Sequence, residues 1–189
     1  MIRIGILGDI GSGKTYVANS FGYPVFNADH EVSKLYKRNK KIFRKLKKKI
    51  PKYISSFPVD KREITKAILN NKTNLKKIIN VVHVEIRKKM KIFLKNNKNR
   101  KIVILDIPLL LENKINNKKD ILVFVDSKKK DIEKRLIKRP NFNRKLINKF
   151  KKIQYSAAYK RKKSNFIIKN NFKKKYLNES IKKILNEIL

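Results

Sequence analysis

Apolar residues fall along this chain in two rhythms. Short, nearly unbroken runs occur at Ile2 to Leu7, Val25-Phe26, Ile102 to Asp106, Ile121 to Val125 and Phe166 to Ile168. Runs of that length without a polar face suit parallel strands buried on both sides. Between them the apolar positions recur every three or four residues, the period of a helix with one covered face. Lys14 to Phe21 turns Val17, Ala18 and Phe21 inward, and Gly22, Tyr23 and Pro24 end it. From His30 to Ile50 the series Val32, Leu35, Tyr36, Phe43, Leu46, Ile50 predicts an amphipathic helix, or two in tandem. Pro51 to Pro58 is a break, after which Asp60 is placed to cap a helix marked by Ile64, Ala67 and Ile68. A longer helix carries Leu75, Ile78, Ile79, Val82, Ile86, Met90 and Phe93. Ile132, Arg135 and Leu136 mark a helix over Lys128 to Arg139, stopped by Pro140. Asn141 to Lys163 reads as basic and mostly helical, without a strong apolar stripe, and Leu177, Ile181, Ile184, Leu185 and Ile188 give a closing amphipathic helix.

Strands alternating with helices imply a parallel sheet covered on both faces. The expected architecture is therefore α/β, with five parallel strands between helical layers in a single domain over residues 1–189. The helical block 31–99 separates two strands and reads as a substrate-binding insertion, and 139–163 reads as a small helical lid.

Chemistry enters directly after the first strand. Gly8-Asp9-Ile10-Gly11-Ser12-Gly13-Lys14-Thr15 fits G-x-x-x-x-G-K-S/T, and it stands where a strand gives way to a helix. Glycines let backbone N–H groups turn inward around phosphate oxygens, and the following helix offers its positive end. Lys14 would reach the β- and γ-phosphates and Thr15 would ligate Mg²⁺. The implied ligands are ATP and Mg²⁺. Asp106 ends an apolar strand, where a carboxylate would hold the Mg²⁺ shell or cap a turn. Asp29 closes the strand next to the loop, where it would accept the proton of an attacking hydroxyl or cap the following helix. Arg135 and Arg139, four apart on one helix, would grip a triphosphate from one side, or else face solvent. His83 and Arg87 are also four apart, fit either to bind an anionic substrate or to sit at the surface.

Composition adds less than its extremity suggests. Fifty-two Lys and Arg against fourteen Asp and Glu give a formal charge of +38, which by itself points to nucleic acid. The lysines lie on nearly every predicted helix instead of in one stripe, and Asn and Ile are abundant too, as an A/T-rich genome would produce. No specific nucleic-acid partner is expected. No cysteine occurs, and two histidines are too few for a zinc site of their own. No run approaches the length of a membrane span, and Ile2 enters the first strand without a leader, so the expected location is the cytoplasm.

The order of motifs resembles the dephospho-CoA kinase family nearly end to end. Beyond the loop, Asn27-Ala28-Asp29 resembles the family's Asp-Ala-Asp, and Val82-His83-Val84-Glu85-Ile86-Arg87 its His-Pro-x-Ile-Arg segment. Asp106-Ile107-Pro108-Leu109-Leu110-Leu111-Glu112 is similar to Asp-x-Pro-Leu-Leu-Phe-Glu, a string that a simple phosphate-binding domain does not need. Arg135 and Arg139 match two lid arginines, and Gln154, Lys160 and Phe166 to Asn170 resemble the family's C-terminal pattern. The resemblance implies a P-loop kinase fold and ATP-dependent phosphorylation of the 3′-hydroxyl of dephospho-CoA; a monomer is expected, with an oligomer left open. It carries over Asp29 as general base, Lys14 and Thr15 as triphosphate and Mg²⁺ ligands and Arg139 as lid cation. His83 and Arg87 would lie at the acceptor site, with Pro108, Leu109, Leu110 and Glu112 near it, and Asn170 near the adenine of ATP. Asn27, Val84, Ile132 and Ser164-Asn165 depart from the family's usual Asp, Pro, Gln and Ala-Asp. The rivals are another nucleoside or nucleotide kinase of the same architecture and a nucleic-acid-binding NTPase.

Overall fold

A computed structural model describes residues 1–140 and 142–189. Asn141, part of the segment expected to form a lid, lies outside the described residues. Five strands form where the apolar runs predict them: β1 (Ile2–Gly8), β2 (Val25–Asn27), β3 (Ile102–Asp106), β4 (Ile121–Asp126) and β5 (Phe166–Lys169). They make one all-parallel sheet in the order β2-β3-β1-β4-β5. Ile4 and Ile6 of β1 and Ile102 to Leu105 of β3 have no accessible surface, which is why neither central strand alternates apolar with polar residues.

The chain divides into two compact units. The first contains residues 1–27 and 96–189, with the whole sheet, and the second contains 28–95. In the first, α1 (Lys14–Ser20) lays Val17, Ala18 and Phe21 into a core shared with Ile4, Ile104, Val123 and Ile168. The second is all helix: α2 (Ala28–Arg38), α3 (Lys40–Lys49), α4 (Lys61–Asn70) and α5 (Asn74–Asn96), the last running just past its edge. The tandem pair between His30 and Ile50 is split by Asn39, whose extended backbone and side chain, accepting from the Ile42 amide, start a new helix. Asp60 caps α4 in the same way through the Arg62 amide.

The first unit continues with α6 (Lys129–Ile137), α7 (Arg144–Lys152), α8 (Ala157–Lys162) and α9 (Lys174–Ile188), whose Leu177, Ile181 and Ile184 complete the core. Three expectations need correction. Asp29 does not close a strand beside the loop: β2 stops at Asn27, β3 lies between it and β1, and Asp29 sits in the first turn of α2. Arg139 does not share a helical face with Arg135, because α6 ends at Ile137 and the ring of Pro140 disfavours helical geometry at the residue before it. The basic segment does contain an apolar stripe, Leu146, Ile147 and Phe150 on α7, each half-buried.

The chain leaves β1 toward β2 on one side and crosses from β3 to β4 on the other, so the strand order reverses between β1 and β3. Open α/β sheets take ligands outside the carboxyl ends of the strands at such a reversal. Gly8 and Asp106 are the last residues of those two strands.

Candidate active site

The loop between β1 and α1 owes its shape to glycine. Gly11 and Gly13 both have φ of +90°, in the left-handed region that a side chain disfavours. A Cβ on Gly13 would stand 2.6 Å from Asn170 Nδ2, so the backbone there has no room to spare. The loop is also gripped from outside. The Ser12 carbonyl accepts from Ser127 Oγ and Asn170 Nδ2, both at 2.9 Å, which ties the loop to the ends of β4 and β5. Lys14 Nζ donates to the carbonyls of Gly8 at 3.1 Å and Asp9 at 2.9 Å, folding back across the loop entrance. An open cleft of about 330 Å³ lies beside Asp9 and Ile10, walled by Ile132, Leu136, Phe142 and Ile147.

A buried carboxylate stands at the end of β3. Asp106 is 4% exposed, and its Oδ2 accepts from Thr15 Oγ1 at 2.6 Å and from Asn27 Nδ2 at 2.8 Å. Burial pushes the Asp106 carboxyl above its ordinary value, opposed by the Thr15 hydrogen bond and the charge of Lys14. Asn27 has a clear physical role here: an Asp at that position would set a second carboxylate against Asp106, whereas the amide donates to it. The Thr15 hydroxyl and the Asp106 carboxylate form a pair of hard oxygen donors, which fits Mg²⁺, an ion that takes one or two protein oxygens and keeps its other positions for water and phosphate. Among the described residues no group of three or more Asp, Glu or His side chains is disposed to hold an ion unaided.

The remaining residues divide sharply. Asn170 is buried and spends its amide on the loop, with its Oδ1 accepting from the Phe172 amide at 3.0 Å. Its observed contacts are therefore those of a brace for the loop. Arg135 stacks its guanidinium 4.1 Å from the Phe172 ring centre, and Phe172 in turn packs on Gly13. Arg139 is exposed. After β3, Pro108, Leu109 and Glu112 are half-buried, but Leu110 is fully buried, and a Cβ on Gly5 would stand 2.6 Å from its Cδ2. Leu110 is thus a packing residue on β1, which corrects its expected place among substrate contacts. Glu112 Oε1 accepts from the Tyr155 amide at 2.8 Å.

The helical unit holds Asp29, exposed on α2, and His83 and Arg87 on α5. Burial first, and the Arg87 charge second, lower the His83 pKa from 6.5. The neutral imidazole is therefore favoured in the fold. Above 6.5 the folded and unfolded chains are both neutral at this position and it contributes nothing to pH dependence; below, the unfolded chain takes the proton first and stability falls. Between about pH 7.5 and about pH 5.5 the wild type should lose more melting temperature than His83→Gln. Parallel melting curves for the two proteins would place His83 in solvent.

A family model described as dephospho-CoA kinase matches residues 2–175. The chain belongs to the dephospho-CoA kinase family. A dephospho-CoA kinase of Wolbachia pipientis wMel is 34% identical over 190 residues, covering 98% of this chain and 97% of its own. The crystal structure of TT1252 from Thermus thermophilus is similar over 100% of this chain and 98% of its own, at 27% identity and a TM-score of 0.79. A dephospho-CoA kinase from Campylobacter jejuni shares the fold, with a TM-score of 0.63 at 22% identity over 98% of this chain and 96% of its own. Two residues in contact with the loop escaped the sequence reading as site candidates. Ser127 carries no motif signal at all, and Lys160 matched the family pattern without suggesting a role.

Proposed function

We propose that the chain transfers the γ-phosphoryl group of ATP to the 3′-hydroxyl of dephospho-CoA, the last step of coenzyme A synthesis, in the cytoplasm. The observation that carries this reading is the hydrogen bond from Thr15 Oγ1 to Asp106 Oδ2, which joins the phosphate-binding loop to the end of β3 in a chain of this family. Thr15 and Asp106 hold the Mg²⁺ shell. The ion, when bound, neutralises charge on the phosphate oxygens. Lys14 leaves the carbonyls of Gly8 and Asp9 to meet the β- and γ-phosphates, and backbone amides of the glycine-rich loop donate to them. Arg139 supplies a cation to the migrating group, while Arg135 flanks the nucleotide.

Asp29 is the general base. It follows Asn27 by two residues, and Asn27 is bonded to Asp106. It lies in the first turn of α2, where the helix dipole favours a carboxylate, and there it accepts the hydroxyl proton. His83 and Arg87 bind the acceptor's anionic groups, and Pro108, Leu109 and Glu112 line its approach. Residues 31–99 serve acceptor binding and 139–163 form the lid.

Release of ADP in the presence of a panel of acceptors tests the reading. Dephospho-CoA should stimulate it at least about 10²-fold over shikimate, nucleosides and nucleoside monophosphates, the discrimination a site built to bind polar groups attains. Stimulation by RNA alone, or equal rates with a nucleoside, would overturn it.

A further inference from the structure

Lys160 stands apart in a chain crowded with lysine. It is 2% exposed, and among the described residues no other Lys or Arg is buried. Its Nζ donates to Gln154 Oε1 at 3.0 Å and lies 3.8 Å from Asp9 Oδ1 and 3.9 Å from Glu112 Oε1. An ammonium has three donors. Gln154 takes one, and the two carboxylates hold the rest by charge at slightly more than hydrogen-bond distance. One buried cation therefore links α8 and the turn before it to the phosphate-binding loop and to the string that follows β3.

The two carboxylates are not equivalent. The Asp9 side chain is 44% exposed and the Glu112 side chain 9%, so water screens the first contact far more than the second. Glu112 is also the better fixed of the two, because its Oε1 accepts from the Tyr155 amide at 2.8 Å. Its Oε2 takes part in neither of these contacts.

We propose that Lys160 is a positioning residue for phosphoryl transfer, which acts by pinning Glu112 through Oε1 so that Oε2 meets the acceptor, with Asp9 held as the lesser partner. This rests on the acceptor role given to Glu112 above. Without the ammonium, the largely buried Glu112 carboxyl loses the cation beside it, and the side chain turns out toward water.

The test is steady-state kinetics on Lys160→Met, Glu112→Gln and the double variant, with ATP affinity measured separately. Lys160→Met should raise KM for dephospho-CoA about 10-fold and lower kcat about 10-fold or more, the scale of a misplaced positioning group, with ATP affinity within about 3-fold of wild type. Because Lys160 acts through Glu112, the double variant should be no worse than the poorer single one. Gln154→Met, at a half-exposed site, loosens the ammonium without deleting it and should shift the same two constants by a smaller factor. Wild-type constants in Lys160→Met, fully additive losses in the double variant, or loss of folding in both Lys160→Met and Gln154→Met would each overturn the proposal. Absence of dephospho-CoA phosphorylation by the wild type would instead remove the functional reading beneath it.

Discussion

Lys14→Ala should lower turnover by about 10³-fold or more and weaken ATP binding, the largest loss expected of any single substitution in this chain. The loss of transition-state stabilisation corresponds to about 4 kcal/mol. The size follows from where the ammonium sits. It donates to two backbone carbonyls, of Gly8 and Asp9, at the entrance of the loop, and in the proposed mechanism it follows the γ-phosphoryl oxygens from there as charge shifts during transfer. Those carbonyls keep the side chain near its task at little cost, and water can replace it on them. The fold should therefore survive the substitution, with a melting temperature close to wild type, while equilibrium binding of ATP weakens. Unchanged ATP binding by a folded Lys14→Ala protein would contradict the assignment of the loop.

Asp29→Asn should lower kcat by about 10²-fold or more while leaving ATP affinity nearly unchanged. The substitution preserves size and hydrogen-bonding reach and removes only the ability to take a proton. Asp29 is exposed and lies in the first turn of α2, where a carboxylate's favourable interaction with the helix dipole is worth about 0.3–1 kcal/mol, so losing the charge carries a stability cost that includes that interaction. The loss should be confined to the catalytic step, with KM for dephospho-CoA within a few-fold of wild type. A rate near wild type would take Asp29 out of the mechanism and leave the hydroxyl proton to solvent.

Much of this was legible in the sequence, and for identifiable reasons. A strand covered on both faces has no polar side, so Ile102 to Leu105 announces itself by composition alone. The loop is legible because its glycines are required by backbone angles that other residues avoid, and Asp60 is legible as a cap because capping is settled within a few residues of sequence. The errors lie where distant segments meet. The position of β2 outside β3 depends on how the chain crosses the sheet, so β2 is not the strand next to the loop, and its end at Asn27 leaves Asp29 in the first turn of α2. Leu110 stands in a string that reads as an acceptor contact, but the close approach of Gly5 turns its side chain into the core. Asn170, which resembles a nucleotide contact, also holds the Ser12 carbonyl, a contact between distant segments that no local pattern announces. Lys160 was the hardest to see, because in a chain with 52 basic residues one more lysine carries no signal of burial, and its partners Asp9 and Glu112 come from other parts of the chain.

The central claim is that this loop and the buried carboxylate at the end of β3 serve transfer to one hydroxyl of one acceptor. Incubating the purified protein with ATP, Mg²⁺ and dephospho-CoA, and examining the product by mass spectrometry and phosphorus NMR, tests it at the bond concerned. The expected product is heavier by a single phosphoryl group, carried on the ribose 3′-oxygen, with ADP formed in equal amount. Recovery of unmodified dephospho-CoA, or of a phosphate on any other oxygen, would contradict the account.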